Sequence, residues 1–203
     1  MVVAGLAPGD YRGLTTTGAL TSNPLERVTN CVAEFRKRLA TTPVYVGASG
    51  PKMVETGSRI ADGLLMNYVF PEFLKWALKF FKEGPCRKVA YGPALLKPDE
   101  KNLGLLRISA AMMLSGANKV FLEEFGLGDA ASEVGEILAK EEFHKLGDYD
   151  SILLEKFALH GSLLDLEKRV EELDALGMNQ VVFATPLCRN LSSLKKIGEA
   201  FSQ

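Results

Sequence analysis

Apolar residues in this chain recur in two alternating patterns, and that alternation predicts the architecture. Met1–Ala7 is a short apolar, β-branched run closed by Pro8-Gly9, the pattern of a buried strand. After a Gly/Thr-rich stretch from Gly13 to Ser22, Asn23-Pro24-Leu25-Glu26 supplies a capping Asn, a Pro at the first helical position and a Glu at the third. Together these serve the free amides that open a helix. Leu25, Val28, Val32, Phe35 and Leu39 follow at steps of three and four, giving a helix packed by one face. The unit then repeats. Pro43 to Gly47 reads as a strand, Gly50-Pro51-Lys52 opens a helix running to Ala61, and Leu64 to Asn67 is the next strand. Pro71 starts a helix carrying Phe73, Leu74, Ala77, Leu78 and Phe81. Lys88 to Leu95 is a fourth strand, interrupted in pattern by Gly92-Pro93.

From Asp99 to about Leu146 the pattern is helical, with breaks at Gly116, Gly126 and Gly128 that divide it into two or three helices. Phe157 to His160 reads as a brief extended piece. Ser162 caps a helix with Leu166, Val170 and Leu173 inward, Gln180 to Thr185 is the last strand, and Asn190 to Phe201 the last helix. Strands joined by helical crossovers run parallel, and a parallel sheet needs helices over its faces. The fold class is therefore α/β, a parallel sheet with alternating helices. No low-complexity segment, charge block or Pro-rich linker divides the chain, so residues 1–203 are expected to form one domain.

Composition narrows the function classes. The 203 residues are 47% hydrophobic and 24% charged, the balance of a soluble globular chain. Twenty-four Lys and Arg against 25 Asp and Glu leave a net charge of −1. That gives no electrostatic case for nucleic acid, which calls for a clustered basic surface. No run has the length and apolarity of a membrane span, and the opening lacks a basic region before its apolar stretch, so neither an anchor nor a signal peptide is expected. Cys31, Cys86 and Cys188 are widely spaced, and His144 and His160 are the two histidines. No metal centre is expected from such a ligand supply; the cysteines read as small packed hydrophobes in a reducing cytoplasm.

In parallel α/β proteins, ligands collect where strands end. The stretch Gly47-Ala48-Ser49-Gly50-Pro51-Lys52 is the best anion site. Its small residues let backbone amides approach a ligand, the helix opening at Pro51 directs its positive end there, and Lys52 adds a full charge. The same residues also read as a tight turn with a solvated lysine. It is neither a Walker loop nor a GxGxxG fingerprint. Gly9-Asp10 reads as a hydroxyl-binding pair or a plain turn, and Asn67 as a partner for a flat heterocycle or a cap. His160, between Leu159 and Gly161, reads as structural, and Met112 and Met113 read as core.

At this point a resemblance enters. Val44-Tyr45-Val46-Gly47-Ala48-Ser49-Gly50-Pro51-Lys52-Met53-Val54-Glu55, followed by Ile60-Ala61-Asp62-Gly63-Leu64-Leu65-Met66-Asn67, resembles the luciferase-like flavin/deazaflavin oxidoreductases. Within them it is most similar to the archaeal coenzyme F420-dependent methylenetetrahydromethanopterin reductases, with their GPKM…E…IADG…N stretch. Gly161-Ser162 through Leu176-Gly177-Met178-Asn179-Gln180-Val181-Val182 is similar to the family's Gly-Thr-Pro-Glu helix and final strand, with Leu163 where proline is usual. Gly5-Leu6-Ala7-Pro8-Gly9-Asp10 is similar to its turn after the fourth strand.

The resemblance implies a partial, TIM-type (β/α)8 barrel lacking the first three strands, since only the last five have counterparts. It implies coenzyme F420 or FMN as cofactor, hydride transfer with a small-molecule substrate, and no side-chain nucleophile. The cofactor's phosphate and tail region carry over to Gly9, Asp10, Gly47, Ala48, Ser49, Gly50, Pro51 and Lys52, with Asn67 nearby. The ring-binding and catalytic residues do not carry over. The alternatives are a non-catalytic flavin-binding or structural subunit, and an open sheet with no ligand. Because five strands leave two apolar edges, a homodimer or a partner chain supplying the missing strands is expected.

Overall fold

The computed structural model describes residues 2–9, 23–187 and 191–201. Asp10, the stretch from Gly13 to Ser22, Cys188 and Asn190 lie outside the described residues. Four strands run side by side in chain order: β1 (Ala4–Leu6), β2 (Val44–Ala48), β3 (Gly63–Met66) and β4 (Arg87–Leu96). The long β4 then carries two further strands: its end Ala94–Leu96 pairs with β5 (Leu159–Gly161), and its middle Val89–Pro93 pairs with β6 (Gln180–Ala184). Every pairing is parallel. The result is a partial TIM-type barrel with alternating helices.

The crossovers are short amphipathic helices. Helix α1 (Pro24–Arg38) opens as its sequence dictates, with the Asn23 side chain accepting from the Glu26 amide and Pro24 in the first turn. Helix α2 (Pro51–Ile60) buries Met53, Val54, Gly57 and Ser58. Gly57 sits so close to the sheet that a Cβ would stand 2.5 Å from Leu64 Cδ1, so a larger residue there would have to displace the buried Leu64. Helix α3 (Pro71–Leu78) stops before Phe81, which falls in the following turn yet stays buried.

Between β4 and β5 lies a helical layer: α4 (Glu100–Ser115), α5 (Lys119–Glu124), α6 (Gly128–Ala139), a 3-10 segment (Phe143–Tyr149) and α7 (Asp150–Phe157). The glycine breaks fall where the sequence puts them, but the layer continues past Leu146. Arg107 on α4 grips Asp150, the first residue of α7, through two hydrogen bonds of 2.8 and 2.7 Å. That fork also explains the guanidinium's raised pKa, the hydrogen bond to Asp150 outweighing the cost of burial. Phe121 on α5 is the keystone of the layer. It is fully buried, with the rings of Tyr68, Phe73, Phe125 and Trp76 centred 4.7, 4.8, 5.0 and 5.5 Å away. Helices α8 (Leu163–Asp174) and α9 (Leu191–Ala200) flank β6 in the chain. Ser162 and Asp165 close a reciprocal capping box at the start of α8, with Leu166 and Leu173 buried and Val170 half-buried.

Four expectations change. The brief extended piece is a real strand, making six among the described residues rather than five. Strand β4 runs unbroken through Gly92-Pro93, because Gly92 leaves room for Val69, whose Cγ1 lies 2.5 Å from where a Cβ would be. The outer strands are not buried on both faces: β1 pairs only with β2 and β6 only with β4 among the described residues, and every residue of both is at least half-exposed or partly so. Cys31 lies exposed on α1, so it is no packed hydrophobe; Cys86 is buried, and burial pushes its thiol up to about 11.

Candidate functional site

The loops leaving β1, β2 and β3 open into a cavity of about 1380 Å³. Gly9, Asn67 and the whole of Gly47–Lys52 line it, so the structure brings together the described residues that sequence reasoning selected. Asn67 and Lys52 are solvent-exposed at its margin, and Gly50 is buried beneath it.

The loop has its shape for local reasons. Gly47 passes so near β1's exit that a Cβ would lie 3.0 Å from the Cβ of Ala7. The Tyr68 hydroxyl donates to the Ser49 carbonyl, fixing the peptide in the middle of the loop. Tyr68 is itself buried and stacks on Phe121, and burial pushes its phenol well above the usual tyrosine range, so it remains a donor at any working pH. Gly50 then caps α2 with its backbone in an extended conformation and no side chain to bond the first-turn amides. Pro51 has no amide, and the first in-helix bond runs from the Val54 N–H to the Gly50 carbonyl at 2.9 Å. The amides of Lys52 and Met53 are thus left without a side-chain acceptor, and the first turn holds no acidic residue.

Charge sharpens the picture. Among the described lining residues Lys52 is the one charged side chain, and no described carboxylate pairs with it. The opposite wall is apolar: Ile108, Met112 and Met113 from α4, Leu138 from α6 and Phe143 from the 3-10 segment. Met112 is therefore lining rather than core, 63% exposed, whereas Met113 both lines the cavity and packs against the core. The site can hold an anionic group at the β2 loop and a flat or apolar body against the methionines, whose thioethers adapt to ligand shape.

Sequence reasoning missed one residue of consequence. Asn118 lines the cavity and lies directly on Gly50, its Nδ2 2.6 Å from where a Cβ would be. A side chain at Gly50 would thus have to displace Asn118 in the helical layer. An Asn ahead of Lys119 signals a cap at most, and nothing in its local pattern places it 68 positions back against a loop. His160, by contrast, lines a separate cleft beside α8; burial lowers its pKa, which keeps the ring neutral near pH 7.

Similarity to known proteins bears on the fold and on relatedness. No family model matches the chain. It is 26% identical to the 5,10-methylenetetrahydromethanopterin reductase of Methanolobus tindarius over 97% of its own length and 72% of that protein's. For the reductases of that name from Methanopyrus kandleri and Archaeoglobus fulgidus, identity is 30% and 26%, covering 71% and 91% of this chain and 45% and 68% of theirs. Among solved structures, the coenzyme F420-dependent tetrahydromethanopterin reductase from M. kandleri superposes with a TM-score of 0.74 at 22% identity, over 91% of this chain and 68% of that one. An F420-dependent secondary alcohol dehydrogenase in complex with an F420-acetone adduct superposes with a TM-score of 0.58 at 12% identity, over 90% and 63%. Both structures speak for the fold. The chain is thus similar in sequence to the methylenetetrahydromethanopterin reductases and shares the fold of an F420-dependent one, consistent with the luciferase-like resemblance of the stretch from Val44 to Asn67.

Proposed function

We propose that this chain binds coenzyme F420 and serves as an F420-dependent oxidoreductase acting on a small-molecule substrate. The observation that carries the reading is Lys52 at the open start of α2, the one charged side chain among the described lining residues and without a described carboxylate partner. Three curated relatives named as reductases, and two F420-dependent structural neighbours, point the same way. The residues fit the group. The cavity is large enough for a tricyclic ring with a tail, its loop end suits a phosphate, and its methionine wall suits a ring system. When bound, F420 supplies the hydride chemistry. The chain's own part is to hold the anionic tail with the Lys52 and Met53 amides and the Lys52 ammonium, and to exclude water with Ile108, Met113 and Phe143. Asn67 stands at the same rim to bond a polar edge of the ligand, with Gly9 beside the β1 exit.

Fluorescence titration tests this. F420 is expected to bind saturably and more tightly than FMN, with Lys52→Glu weakening it by about tenfold or more. FMN binding preferred over F420 would reassign the cofactor, and indifference to Lys52→Glu would move the anion site elsewhere. The second reading is a cofactor-binding subunit without catalysis, since the groups gathered at the described cavity are binding groups. Turnover with reduced F420 decides between them.

The open edges support an assembly proposal. Val181, Val182 and Phe183 on β6 are only half-buried, and Val2 and Val3 ahead of β1 are 79% and 37% exposed. The chain is expected to pair through these edges as a homodimer, or with a chain that supplies further strands. Light scattering at micromolar concentration checks it; a 22.1 kDa monomer with one cooperative unfolding transition would defeat it.

A further inference from the structure

We infer that the side-chain amide of Asn118 is a ligand-binding donor that closes the anion site from the side of the helical layer. The inference rests on the cofactor reading above and adds a residue that the loop alone does not predict. Asn118 stands at the turn between α4 and α5 and lines the cavity together with Ser115, Gly116 and Val120. Its two polar atoms have different fates. The Oδ1 atom accepts from the Val120 amide at 3.0 Å, capping α5 and settling which way the carboxamide points. The Nδ2 atom is then turned onto Gly50, where it would be 2.6 Å from a Cβ, and it has no acceptor among the described residues.

That position matters because of what surrounds it. Gly50 is the residue whose missing side chain leaves the start of α2 open, and Lys52 is two residues on. A group held by the amides of Lys52 and Met53 therefore meets the Asn118 NH2 from the opposite side. The donor is neutral, directional and held by its own cap, so it selects an oxyanion with a free acceptor lone pair over a halide or an apolar terminus. Phe121, three residues on, anchors the same short helix in the aromatic core and stacks on Tyr68, which in turn holds the Ser49 carbonyl. Loop and donor are thus registered to one another through a single buried ring.

The test separates a ligand contact from a structural one. Asn118→Asp keeps a capping oxygen for Val120 and puts a negative charge where the amide was, so the fold is retained and an anion is repelled. Asn118→Ser also keeps a cap oxygen while withdrawing the amide. Affinity is measured by titration with F420, and with the same deazaflavin stripped of its phosphate-bearing tail. The expected result is a loss of about tenfold or more for F420 in Asn118→Asp, a smaller loss in Asn118→Ser, and little change for the stripped deazaflavin. Equal losses for both compounds, or no loss for F420, overturn the role of Asn118 while leaving the cofactor reading standing. A parent chain that binds F420 no better than the stripped compound overturns the anion site itself, and this inference with it.

Discussion

Phe121→Ala is expected to remove about 3–5 kcal/mol of unfolding free energy, the cost of leaving a large cavity where a buried ring stood. Folded domains hold only about 5–15 kcal/mol in all, so this single change removes a large share. The position justifies the upper part of the range. Phe121 is fully buried and touches rings from the segment after β3, from α3 and from its own layer, so its loss cannot be repaired by one neighbour relaxing. Urea denaturation reads the effect as a fall in midpoint at nearly constant slope. Phe143→Ala, at a residue 40% exposed on the cavity wall, serves as the control and is expected to cost about 1 kcal/mol or less. If the two variants unfold alike, the aromatic cluster does not hold the helical layer to the sheet.

Gly50→Val is the second large effect, and it acts on binding more than on stability. The backbone at Gly50 has φ −108° and ψ 157°, a conformation open to any residue, so the substitution carries no conformational penalty. Everything follows from the new side chain, which would stand 2.6 Å from Asn118 Nδ2 and 2.8 Å from its Cγ. Either Asn118 rotates and α5 loses its cap, or the loop is pushed outward. Overpacking of this kind costs about 1–3 kcal/mol. F420 affinity should fall by about a hundredfold, because the valine fills the ground between the helix start and the opposing amide. Adding Asn118→Ala relieves the collision and is expected to restore part of the stability and none of the affinity. Recovery of both would mean that the glycine serves packing alone.

Much of the fold was legible because local rules and tertiary packing agree. Asn23-Pro24-Leu25-Glu26 starts a helix on capping chemistry alone, and the glycines mark the breaks, with Gly116 and Gly126 at helix ends and Gly128 opening the next helix. Gly92-Pro93 misled because its reason lies in Val69, a contact with the segment after β3 that no local window contains. Helix α7 escaped notice because its Asp150 reads as an ordinary turn residue until Arg107 is found gripping it from 43 positions away. The candidate site divides in the same way. The loop Gly47–Lys52 and Asn67 follow strands and are visible as strand-end chemistry. Asn118, Met112 and Phe143 come from a helical layer whose placement over that loop is a tertiary fact, and two adjacent methionines in an apolar helix look the same whether they face a core or a ligand.

Strand β4 gives the molecule an order of events. It pairs with β3, β5 and β6, and the base of its contact with β6 is a reciprocal pair: the Lys88 amide donates to Asn179 Oδ1 at 2.8 Å, and the Asn179 amide to the Lys88 carbonyl at 2.8 Å. That contact spans 91 positions, whereas the one that sets β2 beside the β3 entrance, from the Val44 amide to the Asp62 carboxylate, spans 18. By loop-closure entropy the longer contact costs about 1.4 kcal/mol more to form, roughly a tenfold slower closure when all else is equal. The helical layer, built on shorter separations, is expected to fold earlier and to shorten that search. On loop-closure grounds β6 is expected to join the sheet after β1 to β4, so an edge left partly exposed in the folded chain is also the one expected to find its place last.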